Sequence, residues 1–267
     1  MCGITGIVDF QGSPLEETLS NMTASLSHRG PDDHGIFSTV SDNFSAGLGH
    51  RRLSILDLTR HGHQPMAYEN LVIAYNGEIY NFHEVRKKLE VAGYSFKSTG
   101  DTEVLLKAFH HWGVGAIGRF NGMFAFAILD LQRKKVFLFR DRLGVKPLYW
   151  HSGSEIFIFA SELKAFHANP RFSKALNHNA LALFLELGYV PQPHSIFENT
   201  YKLESGHYLE LDIESRRIDI TCYWDVISHY NMPSLEISPS DAIGETERLI
   251  RSSCKYRMVS DIPIGIF

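Results

Sequence analysis

Cysteine is scarce in this chain of 267 residues: there are three, Cys2, Cys222 and Cys254, odd in number and far apart. That argues against a disulfide framework and a clustered zinc site, which need closely spaced sets of cysteines, so any special cysteine acts singly. Basic runs are equally few. The longest is Arg133-Lys134-Lys135, in a chain of net charge −4, and it reads as a hairpin turn rather than a phosphate-binding stripe. Nucleic acid is therefore not an expected partner. Long apolar runs are missing too. The opening MCGITGIVDF has no positive segment and too short an apolar stretch for a signal peptide, and nothing later approaches a membrane span. A cytoplasmic location without a membrane partner is the expectation. Internal repeats and low-complexity tracts are absent. What remains is 44% hydrophobic and 21% charged, the composition of a soluble protein with a packed core. The length suits one large domain or one domain and part of another.

Apolar spacing predicts the elements. ITGIVDF is a strand with Cys2 at its mouth, and Ser13-Pro14 followed by Glu16 is a capping-box helix start, with Leu15, Leu19, Met22 and Leu26 at helical spacing. Strands are predicted at 35–40, 44–50, 71–75 and 95–98. Helices are predicted from Asn81 to Gly93, with Phe82, Val85 and Leu89 buried, and from a cap at Asp101 or Thr102 to Trp112. MFAFAILD, KVFLFRD and IFIFAS read as strands, apolar enough to be covered on both faces. A helix at 180–187 and a hairpin formed by HYLELDI and RRIDITCYW follow. The polar stretch 225–240 is the expected domain boundary, dividing residues 2–225 from 226–267. A helix at 241–256 comes next, and the apolar tail VSDIPIGIF reads as a buried strand that stops midway, which suggests truncation.

Chemistry gathers around Cys2. Loss of the initiating Met would put a thiol and a free α-amine on one residue, with reference pKa values of about 8.5 and about 7.7–8.0, so the amine can accept the thiol proton near neutral pH. In LVIAYNGEIYN, a strand leading into Asn76-Gly77 could offer a side-chain amide and a backbone N–H to an oxyanion. The same pair is also the strongest short hairpin signal. Gly113, Gly115 and Gly118 satisfy a dinucleotide fingerprint but follow a helix, so the match is spurious. The histidines, including His61, His63, His110 and His111, lack metal-ligand spacing and read as solvated. Cys222 and Cys254 read as small buried hydrophobes.

In combination, CGITGIVDF, SHRGPDDHG, GHRRLSILD, YNGEIYN, STGDTEV, RFNGMFAFAILD, FRDRLGVKPLYW and FASELKA, in this order, resemble class II glutamine amidotransferases, and among them the glutamine-hydrolysing asparagine synthetases. The resemblance covers residues 2–225 and continues through RMVSDIPIGIF, which in that family leads into an ATP-binding loop. It implies an α+β fold, the four-layer αββα sandwich of amino-terminal-nucleophile (Ntn) hydrolases, followed by the start of an α/β synthetase domain. It implies Cys2 as nucleophile toward the glutamine side chain, Asn76 and Gly77 as oxyanion hole, and Arg52 on the substrate α-carboxylate. Main-chain groups at Ile55 and Leu56, with Glu78 and Asp101, would hold the α-amino group. Read alone, Arg52 is equally a surface charge, Asp101 a helix cap and Glu78 a turn residue.

Arg29 and Asp32 read as scaffold, and Arg140 and Asp141 as a buried pair ordering a loop. KLESGHYL departs from the family's usual Leu-Pro-Pro-Gly-His, with Glu204 and Ser205 in place of both prolines. The implied partners are L-glutamine and a synthetase domain; a homodimer is also considered. No cofactor or metal is expected in this chain, whereas ATP and Mg2+ belong to the synthetase half. The alternatives are an amidotransferase half serving a sugar or secondary-metabolite acceptor, or a non-catalytic fragment.

Overall fold

A computed structural model describes residues 1–41, 43–263 and 265. The chain runs β1 (Gly3–Asp9), α1 (Glu16–Ala24), β2 (Asp33–Val40), β3 (Ser45–Arg52), β4 (Met66–Tyr68), β5 (Leu71–Ile79), α2 (Phe82–Val91), α3 (Asp101–Trp112), β6 (Gly122–Asp130), β7 (Lys135–Arg140), β8 (Tyr149–Ser152) and β9 (Ile156–Ala160). It continues through α4 (His178–Leu187), β10 (Thr200–Lys202), β11 (His207–Asp212), β12 (Ile218–Cys222), α5 (Val226–Tyr230) and α6 (Pro239–Arg257). Among the described residues two six-stranded sheets form, ordered β10-β8-β9-β1-β3-β2 and β12-β11-β7-β6-β5-β4, with antiparallel neighbours throughout.

The period-2 alternation of each strand divides its residues between two cores. Ile4 and Val8 of β1 meet Val72 and Ala74 of β5 and Ala125 and Ala127 of β6 in a core between the sheets. Ile7 turns the other way, onto Leu19 and Met22 of α1. Leu71, Ile73 and Tyr75 turn outward onto α2 and α3 through Phe82, Leu89 and Leu105. The result is helix, sheet, sheet, helix: the αββα arrangement the resemblance implied, with the apolar strands β6, β7 and β9 covered on both faces.

Packing overrides several local signals. Ser13 does not cap α1: the helix starts at Glu16 after Leu15, without a side-chain cap. The Ser13 carbonyl instead accepts the Ser45 hydroxyl, and burial of Leu15 fixes the entry. Asp101 and Thr102 lie inside α3, whose N-cap is Gly100. Residues 95–98 form no strand, because the Lys97 and Ser98 N–H groups donate to the Glu103 carboxylate rather than to a neighbouring strand. Cys222 and Cys254 are exposed, the first on an edge strand and the second on α6, which has no buried residue. Arg140, the last residue of β7, is half-buried and Asp141, just past the strand, is buried, but they form no ion pair with each other, each being committed to main-chain groups instead. Arg140 donates to the Gly144, Lys146 and Leu203 carbonyls, while Asp141 accepts the Leu143, Val145 and Lys146 N–H groups. The expected terminal strand falls partly on Ile264, Ile266 and Phe267, which lie outside the described residues; Val259–Pro263 is irregular. No helix is long and apolar enough to cross a membrane among the described residues.

His50 departs most from the solvated reading. It is fully buried between the sheets, where its Nε2–H donates to the Tyr75 carbonyl at 2.9 Å. Burial lowers its pKa from 6.5 to about 4, against the opposing effect of that bond. The unfolded chain therefore binds a proton between those values that the folded chain refuses, so folding stability falls as pH drops from about 6.5 to about 4, by roughly 3 kcal/mol. Unfolding free energy measured against pH should lose about one proton of its slope there in His50→Gln; an unchanged slope would rule the assignment out.

Candidate active site

The inter-sheet side of β1 carries Cys2 to the mouth of a cleft of about 210 Å³. Every residue implicated by the sequence lines it: Cys2, Arg52, Ile55, Leu56, Asn76, Gly77, Glu78 and Asp101. The Cys2 carbonyl is held by the Arg29 Nε–H at 2.8 Å, and the Arg29 guanidinium is held in turn by Glu162 at 2.8 Å. The Leu53 N–H approaches Cys2 Sγ at 3.4 Å. Burial pushes the thiol pKa up, partly offset by that Leu53 contact, so the thiol is not a ready-made thiolate. Asp32 contributes indirectly, accepting the Ser54 N–H at 2.8 Å beside Leu53.

The Asn76-Gly77 pair makes no turn. It lies inside β5, paired with Ala125 and Phe124 of β6. Gly77 is required there by close approach, because an added Cβ would come within 2.3 Å of the Met123 carbonyl oxygen. Both main-chain groups of Phe124 are taken by Asp141. Gly77 is therefore a non-hydrogen-bonded pair, and its N–H points away from β6 toward the sheet edge. The N–H groups two residues to either side point the same way and are capped, Tyr75 by the Gln64 side chain at 2.7 Å and Ile79 by Asp101 Oδ2 at 2.9 Å. β4 covers only Leu71–Ile73, so it does not reach Gly77. Asn76 is 1% exposed, and its Nδ2 has no hydrogen-bond partner among the described residues. Two donors thus face the cleft from one strand, uncapped.

Charge surrounds them. The Arg52 guanidinium is buried and donates to the Leu56, Asp57 and Thr59 carbonyls, which leaves two of its five N–H donors. The Ile55 and Leu56 carbonyls are already engaged, by Asp261 and Arg52, though each retains a second lone pair. Asp101 is buried at the start of α3 and accepts the Tyr75 hydroxyl at 2.7 Å as well as the Ile79 N–H, both on Oδ2. Desolvation raises its pKa, against those bonds. Glu78 has neither hydrogen bond nor ion pair among the described residues; burial, then the Asp101 charge, raises its pKa.

Sequence reading missed Lys146, a buried lysine lining the cleft, and with it Gln64 and Leu53. Lys146 is carried by the loop that Asp141 orders, and burial lowers its pKa. Nothing in its local sequence marks it, since it reaches the cleft only through the fold. His63 is exposed as expected, with its ring Nδ1 2.7 Å from the Asp33 carboxylate. Clusters of three or more metal-ligating side chains are absent among the described residues.

The chain as a whole has relatives among known proteins. A glutamine amidotransferase domain model matches residues 1–224. Asparagine synthetase (glutamine-hydrolyzing) 3 of Bacillus subtilis is 36% identical over all of this chain and 43% of its own length. A Methanocaldococcus jannaschii relative, named provisionally as a glutamine-hydrolyzing asparagine synthetase, is 40% identical over all of this chain and 54% of its own. The chain therefore spans about half the length of the curated relatives it matches. Glutamine phosphoribosylpyrophosphate amidotransferase of B. subtilis shares the fold, with a TM-score of 0.60 at 20% identity over 83% of this chain and 49% of the other. From the match over most of its length, together with these relatives, the chain belongs to the glutamine amidotransferase domain family.

Proposed function

We propose that this chain hydrolyses the side-chain amide of L-glutamine to glutamate and ammonia through a thioester on Cys2. The observation that carries the reading is the pair of uncapped donors, Asn76 Nδ2 and the Gly77 N–H, in the same cleft as the Cys2 thiol. Removal of Met1, which lines the cleft, frees the Cys2 α-amine. That amine takes the thiol proton as Sγ attacks the amide carbon, and the two donors stabilise the oxyanion. Collapse of the tetrahedral intermediate breaks the C–N bond, and the same proton leaves with ammonia. Water, activated by the amine, then attacks the thioester, and a second collapse releases glutamate and the thiol.

Recognition of the amino-acid end falls to Arg52 for the α-carboxylate, with Glu78, Asp101 and the main chain at Ile55 and Leu56 for the ammonium. Glu78 suits a cation because it is uncommitted within the fold. The ammonia so formed supplies ATP-dependent amidation of aspartate, in a synthetase portion that would hold ATP and Mg2+. The relatives are named asparagine synthetases; aspartate, ATP and Mg2+ are what the family resemblance implies, and no residue of the cleft bears on them.

The test is release of glutamate and ammonia from glutamine, compared between wild type and Arg52→Lys. Lysine cannot hold the loop carbonyls and also present a fork to a carboxylate. KM for glutamine should rise by about 10- to 100-fold, the loss of a hydrogen bond between charged groups, with a smaller change in kcat. Equal turnover of glutamine and of a simple amide without α-charges would defeat the substrate assignment.

A further inference from the structure

The chain beyond β12 returns to the cleft. The last turn of α6 touches the junction of β5 and α2: the Tyr256 hydroxyl donates to the Glu84 carboxylate, and the Arg257 guanidinium lies 4.8 Å over the Tyr80 ring. Val259 packs against the core under α2 and α3. Asp261 then crosses to the opposite wall, where its N–H donates to the Ile55 carbonyl at 3.0 Å and its carboxylate accepts the Asp57 N–H at 2.7 Å.

Asp57 gains from such support. It is 3% exposed and sits at φ +51, a left-handed conformation uncommon outside glycine, though aspartate is among the residues that enter it most readily. Its side chain is fixed from within, accepting the Thr99 N–H at 2.8 Å and the Thr59 N–H at 3.0 Å. Its carbonyl and that of Leu56 take the Arg52 guanidinium. The 55–57 segment is therefore held on one side by Arg52 and on the other by Asp261. Without Asp261, the Asp57 N–H loses its acceptor, and the carbonyls that aim Arg52 lose their outer tie.

We propose that Asp261 is a positioning residue, a strap that holds the 55–57 segment and through it Arg52 in the geometry that receives the amino-acid end of the substrate. This rests on the glutamine reading for what is received, but not for the strap itself. The strap also joins two walls of the cleft, since the segment that carries Asp261 is anchored at the residues that follow Glu78 and Ile79.

The experiment compares the full chain with Asp261→Ala and Asp261→Asn, by hydrogen–deuterium exchange of a peptide covering 53–59 and by glutamine kinetics. Asp261→Ala should speed exchange in that peptide by about tenfold, leave peptides from β1 and β6 unchanged, and raise KM by about tenfold with kcat within about twofold. Asp261→Asn, whose side-chain oxygen accepts the same N–H, should stay near wild type in both readouts. Unaltered exchange at 53–59 in Asp261→Ala would overturn the strap, as would a fall in kcat at constant KM. A loosened segment in a chain that turns over no glutamine at all would support the strap and overturn the substrate reading instead.

Discussion

Cys2→Ala should abolish glutamate release while leaving the fold in place. The side chain has few ties to lose, because among the described residues the hydrogen bonds of Sγ are with the main chain of Leu53, at 3.4 Å and 3.6 Å. The bond that anchors this residue uses its main-chain carbonyl, which alanine keeps. Activity has no comparable reserve. With the thiol gone, the group that forms the acyl intermediate is lost, and turnover should drop by on the order of 10⁴-fold or more, as when other covalent nucleophiles are removed. Because burial disfavours the thiolate, attack depends on a proton acceptor, so a chain that keeps Met1 should be nearly as inactive. Glutamate release and intact mass, with the thioester trapped by acid quench, measure both. Undiminished hydrolysis by Cys2→Ala would end the thioester mechanism.

Asn76→Ala should separate catalysis from folding. The Asn76 Nδ2 group is buried and unpartnered in the resting protein, so deleting it removes a desolvated donor and breaks no hydrogen bond. Thermal stability should hold or rise. The developing oxyanion, by contrast, loses one of two preorganised donors, a loss of about 2.7–4 kcal/mol or 10²- to 10³-fold in kcat, with KM little changed. Asn76→Asp should be worse, since it sets a negative charge where the substrate oxygen becomes negative. Steady-state kinetics beside a melting curve decides: an increase in KM at full kcat would make Asn76 a ground-state binding group and no part of an oxyanion hole.

The sheets were legible because β6, β7 and β9 are buried on both faces and so read as unbroken apolar runs. Phe82, Val85 and Leu89 marked the buried face of α2 for a related reason, being spaced at three and four residues. The residues of the cleft were legible only as an ordered set of motifs. Taken singly, Asn76-Gly77 reads as a turn, and that reading fails because pairing with β6 outweighs turn propensity. Ser95–Ser98 misled in the opposite direction: a buried carboxylate, Glu103, meets backbone donors that a strand would have given to a neighbour. Lys146, Gln64, Asp57 and Asp261 could not be found in this way. Each owes its place to a contact across the fold, such as the 204 positions between Asp57 and Asp261, which no local pattern records.

The brevity of β4 has a consequence for durability. A strand of three residues beside one of nine leaves β5 unfinished along most of its outer edge, and the Gly77 N–H is part of what is left over. That wall of the cleft cannot shift without opening the nine-residue β5–β6 ladder, so it is about as persistent as the native state itself. The facing wall, from Leu53 to Thr59, has no such ladder and relies on a few bonds to Arg52, Asp57 and Asp261. The cleft therefore joins two regimes of stability: in the chemistry proposed above, the reacting atoms would meet a surface that fails only when the protein unfolds, and the rest of the amino acid one that can open while the fold stands.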